Sequence, residues 1–356
     1  MAEAGNYFSS DYIHAQARFR SLAEQHNGAL YQLPLDVLGP ARQALSIDIA
    51  WFGSPTPKSV ILHSSGLHGV EGFAGSAIQL QLIQQMPEFP ANAALVLVHL
   101  LNPYGMAWLR RTNENNVDLN RNYLAQQSDY QGVPEGYRRL EKFINPVSPP
   151  AMDCFYLNVT SKIIRYGFQT LKQSVAEGQY EFPQGLFYGG NQLEQGLVQY
   201  QSWLHTYLGS TTNILAIDVH TGLGNWGKDS LFIETSNGAM QAQLYDKALK
   251  DQITLNYKQT VAYDIKGGLD RLIIDACPQA KVDYILQEFG TYSALKVFHA
   301  LREENRQHFY SDANDLAHAT KKNIFKVFNP HLPQWQSAVL QRGQYLVQSA
   351  TKYLIT

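Results

Sequence analysis

The chain reads as an α/β protein, with a mixed, largely parallel central sheet flanked by helices. Three features say so. A strand–helix–strand succession fills residues 59–101, later short apolar runs alternate with helix-period segments, and the chain beyond Ser293 is mostly helical.

Residues 59–63 centre on the apolar run Val60-Ile61-Leu62, two of the three β-branched, as a buried strand requires. A glycine-rich loop follows, and residues 73–86 repeat apolar side chains at helical spacing. Residues 93–101 form a second apolar run, so the unit is βαβ, with parallel strands and a right-handed crossover. Residues 155–175 and 193–208 are predicted helices, with apolar positions every three or four residues. Residues 213–220, 231–234 and 282–289 are predicted strands, and 335–354 a helix. The stretch Ile144-Asn-Pro-Val-Ser-Pro-Pro150 is a loop rather than a boundary. With no repeat, low-complexity tract or Gly/Ser linker, residues 1–356 are expected to form one domain with a helical C-terminal segment over about 291–356.

The composition excludes some functions. Of 356 residues, 45% are hydrophobic and 16% charged, the balance of a globular protein able to bury a large core. A net charge of −2 supplies no basic stripe for phosphates, so nucleic acid is not an expected partner. The first residues lack a signal peptide's cationic and apolar regions, and no run approaches the roughly 18 apolar residues of a membrane helix. Cys154 and Cys277 make no Cys-x-x-Cys pair and read as two reduced core thiols, so a cytoplasmic location is expected and no membrane partner. No feature sets an oligomeric state.

The chemistry concentrates at strand ends. Ile61-Leu-His-Ser-Ser-Gly-Leu-His68-Gly-Val-Glu71-Gly sets an imidazole and a carboxylate three residues apart in a loop whose glycines free the backbone to bend. Alone that pair reads equally as a helix-start Glu near an unrelated His. Arg110-Arg111 and Asp118-Leu-Asn120-Arg121 follow; they read either as a capped polar turn or as groups gripping a carboxylate and a developing oxyanion. His220 ends the run 213–220, where a lone His is usually structural, and Glu288 ends 282–289, where a salt-bridged Glu is the plainer reading. Asp118 and Asp218 are candidates to accept the free N–H of a ligating His. At the C-terminal ends of parallel strands all of these can share one crevice, where open α/β sheets bind ligands. His63 and His99, inside apolar runs, read as core histidines, and Arg302-Glu303-Glu304-Asn305-Arg306 as a solvated helix face.

Taken in order, His68-x-x-Glu71, Arg110-Arg111, Asp118-x-Asn120-Arg121, His220, Tyr263 and Glu288 resemble the zinc carboxypeptidases of the carboxypeptidase A type. The resemblance spans about residues 59–290. It implies one Zn²⁺ held by His68, Glu71 and His220, with Glu288 as general base. Either Arg110 or Arg111 would stabilise the oxyanion. Asn120 and Arg121 would hold the substrate's terminal carboxylate, Tyr263 would close over it, and Asp270 would line the bottom of the side-chain pocket. An acid there favours a C-terminal Lys or Arg, unless Asp270 and Arg271 pair internally.

Gly-Leu-His68-Gly, His220-Thr-Gly and Glu288-Phe-Gly-Thr are closer to the aspartoacylase and succinylglutamate desuccinylase branch. Those enzymes remove an acyl group from an amino acid. Tyr263 with Gly267-Gly268, and the helical segment after Glu288, favour the carboxypeptidase side. The expected partner is therefore a small peptide or an acylated amino acid. The expected activity is metallopeptidase cleavage of a C-terminal peptide bond, with the deacylase as the second reading. An inactive binding protein on the same scaffold is the reading outside enzymes.

Overall fold

A computed structural model describes residues 4–235 and 266–355. Its centre is a sheet of seven strands: β1 Ala29–Leu38, β2 Ala44–Gly53, β3 Ser59–Ser65, β4 Ala93–His99, β5 Asn213–Gly222, β6 Asp229–Thr235 and β7 Lys281–Gly290. They lie in the order β1-β2-β4-β3-β5-β7-β6. The pairs β4–β3, β3–β5 and β5–β7 are parallel; β1–β2, β2–β4 and β7–β6 are antiparallel. The mixed sheet with a parallel middle, expected from the sequence, is present.

The α-helices among the described residues are α1 Tyr12–Gln25, α2 Gly72–Gln84, α3 Pro103–Ala107, α4 Glu135–Ile144, α5 Phe155–Tyr166, α6 Phe168–Ala176, α7 Gln195–Leu208, α8 Leu269–Ala276, α9 Ala294–Tyr310, α10 Ala319–Phe328 and α11 Pro333–Ile355. Alternation along the strands feeds two cores. Ile61, Leu95, Leu97, Leu215 and Ile217 pack against Phe19 of α1, Ile78 of α2 and Val339 of α11. Val60, Leu62, Val96, Val98 and Ile214 pack on the other face against Trp203 of α7 and Leu272 of α8. Because α2 lies between sheet and α11, it is buried nearly all round, and its Ser76 and Gln79 are hydrogen-bonded within the core. The approach is close: a Cβ at Gly343 of α11 would stand 2.6 Å from Ile78 Cδ1.

Several expectations need correcting. The predicted helix 155–175 is two helices, because Gly167 takes φ +82 and divides α5 from α6. Cys154 is exposed, and only Cys277 sits in the core. Arg302 to Arg306 of α9 do not face solvent: all five are buried. Arg302 pairs with Asp153 and Glu303, and Arg306 bonds Ser148 and Glu303, under the loop that precedes α5. Charge runs read as solvated faces only when nothing long enough lies near to cover them. The two core histidines are as expected. Burial holds His63 down to about 4 and His99 to about 3, so both stay neutral, with Gln79 against His63 and Ser76 against His99.

Candidate metal and catalytic site

From β3 the chain passes through α2 to β4 on one side, whereas β5 pairs on the other. The sheet's connections thus reverse at the C-terminal ends of β3 and β5, where α/β sheets leave a crevice. His68 follows β3, His220 lies near the end of β5, and Glu288 is its register partner on β7. Equal register in adjacent strands puts His220 and Glu288 on the same face of the sheet.

The loop after β3 is held by its neighbour chain. Gly69 N donates to Arg111 O at 3.1 Å and Val70 N to Arg110 O at 2.8 Å. Glu71 stands at the N-cap of α2, yet its side chain makes no capping bond. It turns instead to the two histidines. Its Oε1 is 3.0 Å from His68 Nδ1 and its Oε2 3.2 Å from His220 Nδ1; the two Nδ1 atoms are 3.1 Å apart. All three residues are buried, and their ligating atoms lie within 4.8 Å of one another.

The other ring nitrogens are tied back. His68 Nε2 is 3.0 Å from Asp118 Oδ1, and His220 Nε2 is 2.7 Å from Asp218 Oδ2. Asp218 is itself held by Ser64 Oγ at 2.7 Å and Tyr284 Oη at 3.2 Å. A proton on each Nε2 satisfies these carboxylates and leaves two Nδ1 lone pairs and a carboxylate converging on one point. Such a set needs a cation. About a shared ion roughly 2.0–2.1 Å from each, tetrahedral ligands stand about 3.3 Å apart, close to the spacing seen. These residues therefore fit a divalent metal ion. The field says the same: burial works against charge on His220, but Asp218 and Glu71 hold its pKa well above the ordinary imidazole value. Burial likewise raises the carboxyls of Glu71 and Asp118, but His68 and Arg111 more than offset it, and both groups lie below the usual carboxylate range.

The two arginines part company. Arg111 lines the cleft beside the histidines, with Nη1 3.0 Å from Glu71 Oε1, Nε 3.0 Å from Asp118 Oδ2, and Phe187 against its guanidinium. Its Nη2 also stands 2.7 Å from His68 Nε2. A guanidinium only donates, so the Asp118 bond is the one that persists when the ring gives its Nδ1 lone pair to a cation. Arg110 is 1% exposed and lies outside the cleft, bonded to Glu304 at 3.0 Å and Asn116 at 2.8 Å.

Glu288 keeps part of its surface open to the cleft and accepts from Leu223 N at 2.8 Å. Burial and the charge of Glu71 push its carboxyl up to about 7. Asn120, Arg121, Gly267, Gly268 and Asp270 line the same cleft, whose volume is about 600 Å³. Gly267 has φ +82, and a Cβ there would meet Arg121 O at 2.5 Å, so this turn lies directly against the Arg121 backbone. Asp270 and Arg271 do not pair with each other; Arg271 bonds Asp275 at 2.8 Å. Tyr263 lies outside the described residues. Sequence reasoning did not find Ser64, Tyr284, Leu223 or Phe187. Ser64 is the register partner of Asp218, a signal that only strand pairing reveals.

Residues 8–342 match the family model described as "Protein of unknown function (DUF2817)". The chain belongs to the DUF2817 family. No curated protein matches it significantly. Among solved structures, a candidate metallopeptidase from Shewanella amazonensis is 14% identical, with TM-score 0.44 over 89% of this chain and 92% of that one. Carboxypeptidase A from Helicoverpa armigera is 14% identical, with TM-score 0.43 over 95% and 74%. A candidate succinylglutamate desuccinylase/aspartoacylase family protein from S. amazonensis is 18% identical, with TM-score 0.38 over 79% and 71%. TM-scores below 0.5 leave function to be read from the side chains themselves. Among the described residues no helix is long and apolar enough to cross a membrane.

Proposed function

We propose that this protein is a zinc-dependent hydrolase of the carboxypeptidase type. It would cleave the amide bond between an acyl or peptidyl group and an amine that carries a free carboxylate. The observation that supports this most is the convergence of His68 Nδ1, His220 Nδ1 and Glu71, with both Nε2 atoms held by buried aspartates. A zinc ion bound there supplies a Lewis acid for the carbonyl and lowers the pKa of the water that it holds.

The chain's own groups do the rest. Asp118 and Asp218 fix ring tautomer and orientation. Glu288 Oε takes a proton from the attacking water as its oxygen bonds the carbonyl carbon, and delivers that proton to the leaving nitrogen as the C–N bond breaks. The raised pKa of Glu288 suits a group that must first take a proton and then give it up. Arg111, on the cleft wall beside Glu71, donates to the oxygen that gains charge. Arg110, committed to Glu304, keeps its neighbour's backbone in place. Asn120 and Arg121 receive the substrate carboxylate, and Asp270 faces the side chain of the released residue, favouring Lys or Arg there.

The zinc-loaded protein should hydrolyse amides of amino acids with a free carboxylate, and lose at least tenfold in kcat/KM when that carboxylate is amidated. Amides of Lys should react faster than those of Phe. Equal rates with and without the carboxylate would remove Asn120 and Arg121 from their assigned role; equal rates for Lys and Phe would remove Asp270.

A further inference from the structure

The walls of the cleft differ in chemistry. Asn120, Arg121 and the turn Gly267–Asp270 make one side polar. The other is built by elements that carry no catalytic group. Phe143 of α4, Val159 and Ile163 of α5, Phe168 of α6, and Val297 and Phe298 of α9 turn apolar side chains to the same space, with the charged Lys172 of α6 among them. This wall begins at the reacting centre: Phe187 packs on Arg111, and a Cβ at Gly222, beside Glu288, would lie 3.1 Å from Phe328. It continues outward to Phe168, which lines the cleft and is 42% exposed. A space of about 600 Å³ is the size of a whole small ligand, not one side chain.

We infer that the acyl part of the substrate is an extended apolar chain, so that the preferred substrates are long-chain N-acyl amino acids. The inference rests on the proposed hydrolase reading for its orientation. With the carboxylate at Asn120 and Arg121 and the carbonyl at Arg111, what remains to be placed along the apolar wall is the acyl group. A peptide there would bury N–H and C=O groups against phenylalanine, valine and isoleucine, with no partners for them. An alkyl chain loses nothing of the kind and gains from every methylene covered.

The test compares the N-acetyl, N-octanoyl and N-decanoyl amides of one amino acid, each with its α-carboxylate free, and a dipeptide of matched length, on zinc-loaded full-length protein. It pairs this with calorimetric binding of acetate and decanoate. One methylene, worth ~0.8 kcal/mol, is a factor of about four in kcat/KM, so octanoyl should exceed acetyl by two orders of magnitude or more. Decanoate should bind at least a hundredfold more tightly than acetate. Ile163→Gln, at a half-buried position of α5, should lower the octanoyl-to-acetyl ratio at least tenfold. If acetyl or dipeptide substrates react as fast as octanoyl, or decanoate binds no better than acetate, the inference is overturned while the hydrolase reading stands. If no amide is cleaved but decanoate alone binds, the apolar-chain site survives and the hydrolase reading fails.

Discussion

Single side chains divide the labour sharply here, and Arg110 and Arg111 show it best. They are adjacent in sequence and chemically identical, yet one lines the cleft and the other is sealed against Glu304. Arg111→Ala should cost about 10²–10³ in kcat on zinc-loaded protein, the loss expected on removing one donor to a developing oxyanion. Arg110→Ala should instead destabilise by about 1–3 kcal/mol in denaturant unfolding, because buried Glu304 is left with Lys321 alone and Asn116 Oδ1 with Thr112 alone. The opposite pattern would reverse the assignment. Glu288→Gln should retain metal and lose about 10²–10⁴ in kcat; a fully active variant would remove Glu288 as the base. Only ionised Glu288 can take a proton, so activity must fall as pH drops through its pKa. Burial and Glu71 place that value near 7, and a cation bound alongside draws it downward. The acid limb of the kcat/KM profile therefore belongs between the ordinary carboxylate range and about pH 7, and should vanish in Glu288→Gln.

At the next scale up, the loop between β3 and α2 carries two of the three proposed metal ligands and depends on a close backbone approach. A Cβ at Gly69 would stand 2.1 Å from Gly105 C, and backbone cannot yield as a side-chain tip does. Gly69→Ala should lower zinc affinity at least tenfold while the circular dichroism spectrum keeps its native shape; unchanged affinity would mean that the loop has slack. The sequence made this part legible. The run 59–63, the glycines around His68 and the helix after it marked a βαβ unit, and strands ending at His220 and Glu288 placed two further groups at the same edge. Other parts were not legible. The helix Tyr12–Gln25 and the hairpin β1–β2 precede the motifs and drew no expectation, although Ala44–Gly53 is nearly all buried. The burial of Arg302 to Arg306 depends on the loop before α5, roughly 150 residues away in sequence, and local pattern holds no record of such covering. Register is hidden in the same way, which is why Ser64 went unnoticed beside Asp218.

For the protein taken entire, the fold gathers four carboxylates, Glu71, Asp118, Asp218 and Glu288, around two imidazoles at one sheet edge. Arg111 answers Glu71 and Asp118, and a cation between the imidazoles would offset the negative charge that remains. A bound ion should thus stabilise the folded state as well as serve catalysis. The most direct measurement is zinc content per chain after purification and dialysis, read together with unfolding temperature before and after chelation. One zinc per chain, lost on His220→Ala and on chelation with a fall in unfolding temperature, is the predicted result. A chain that binds no divalent metal above background, and melts at the same temperature with and without chelator, would contradict it.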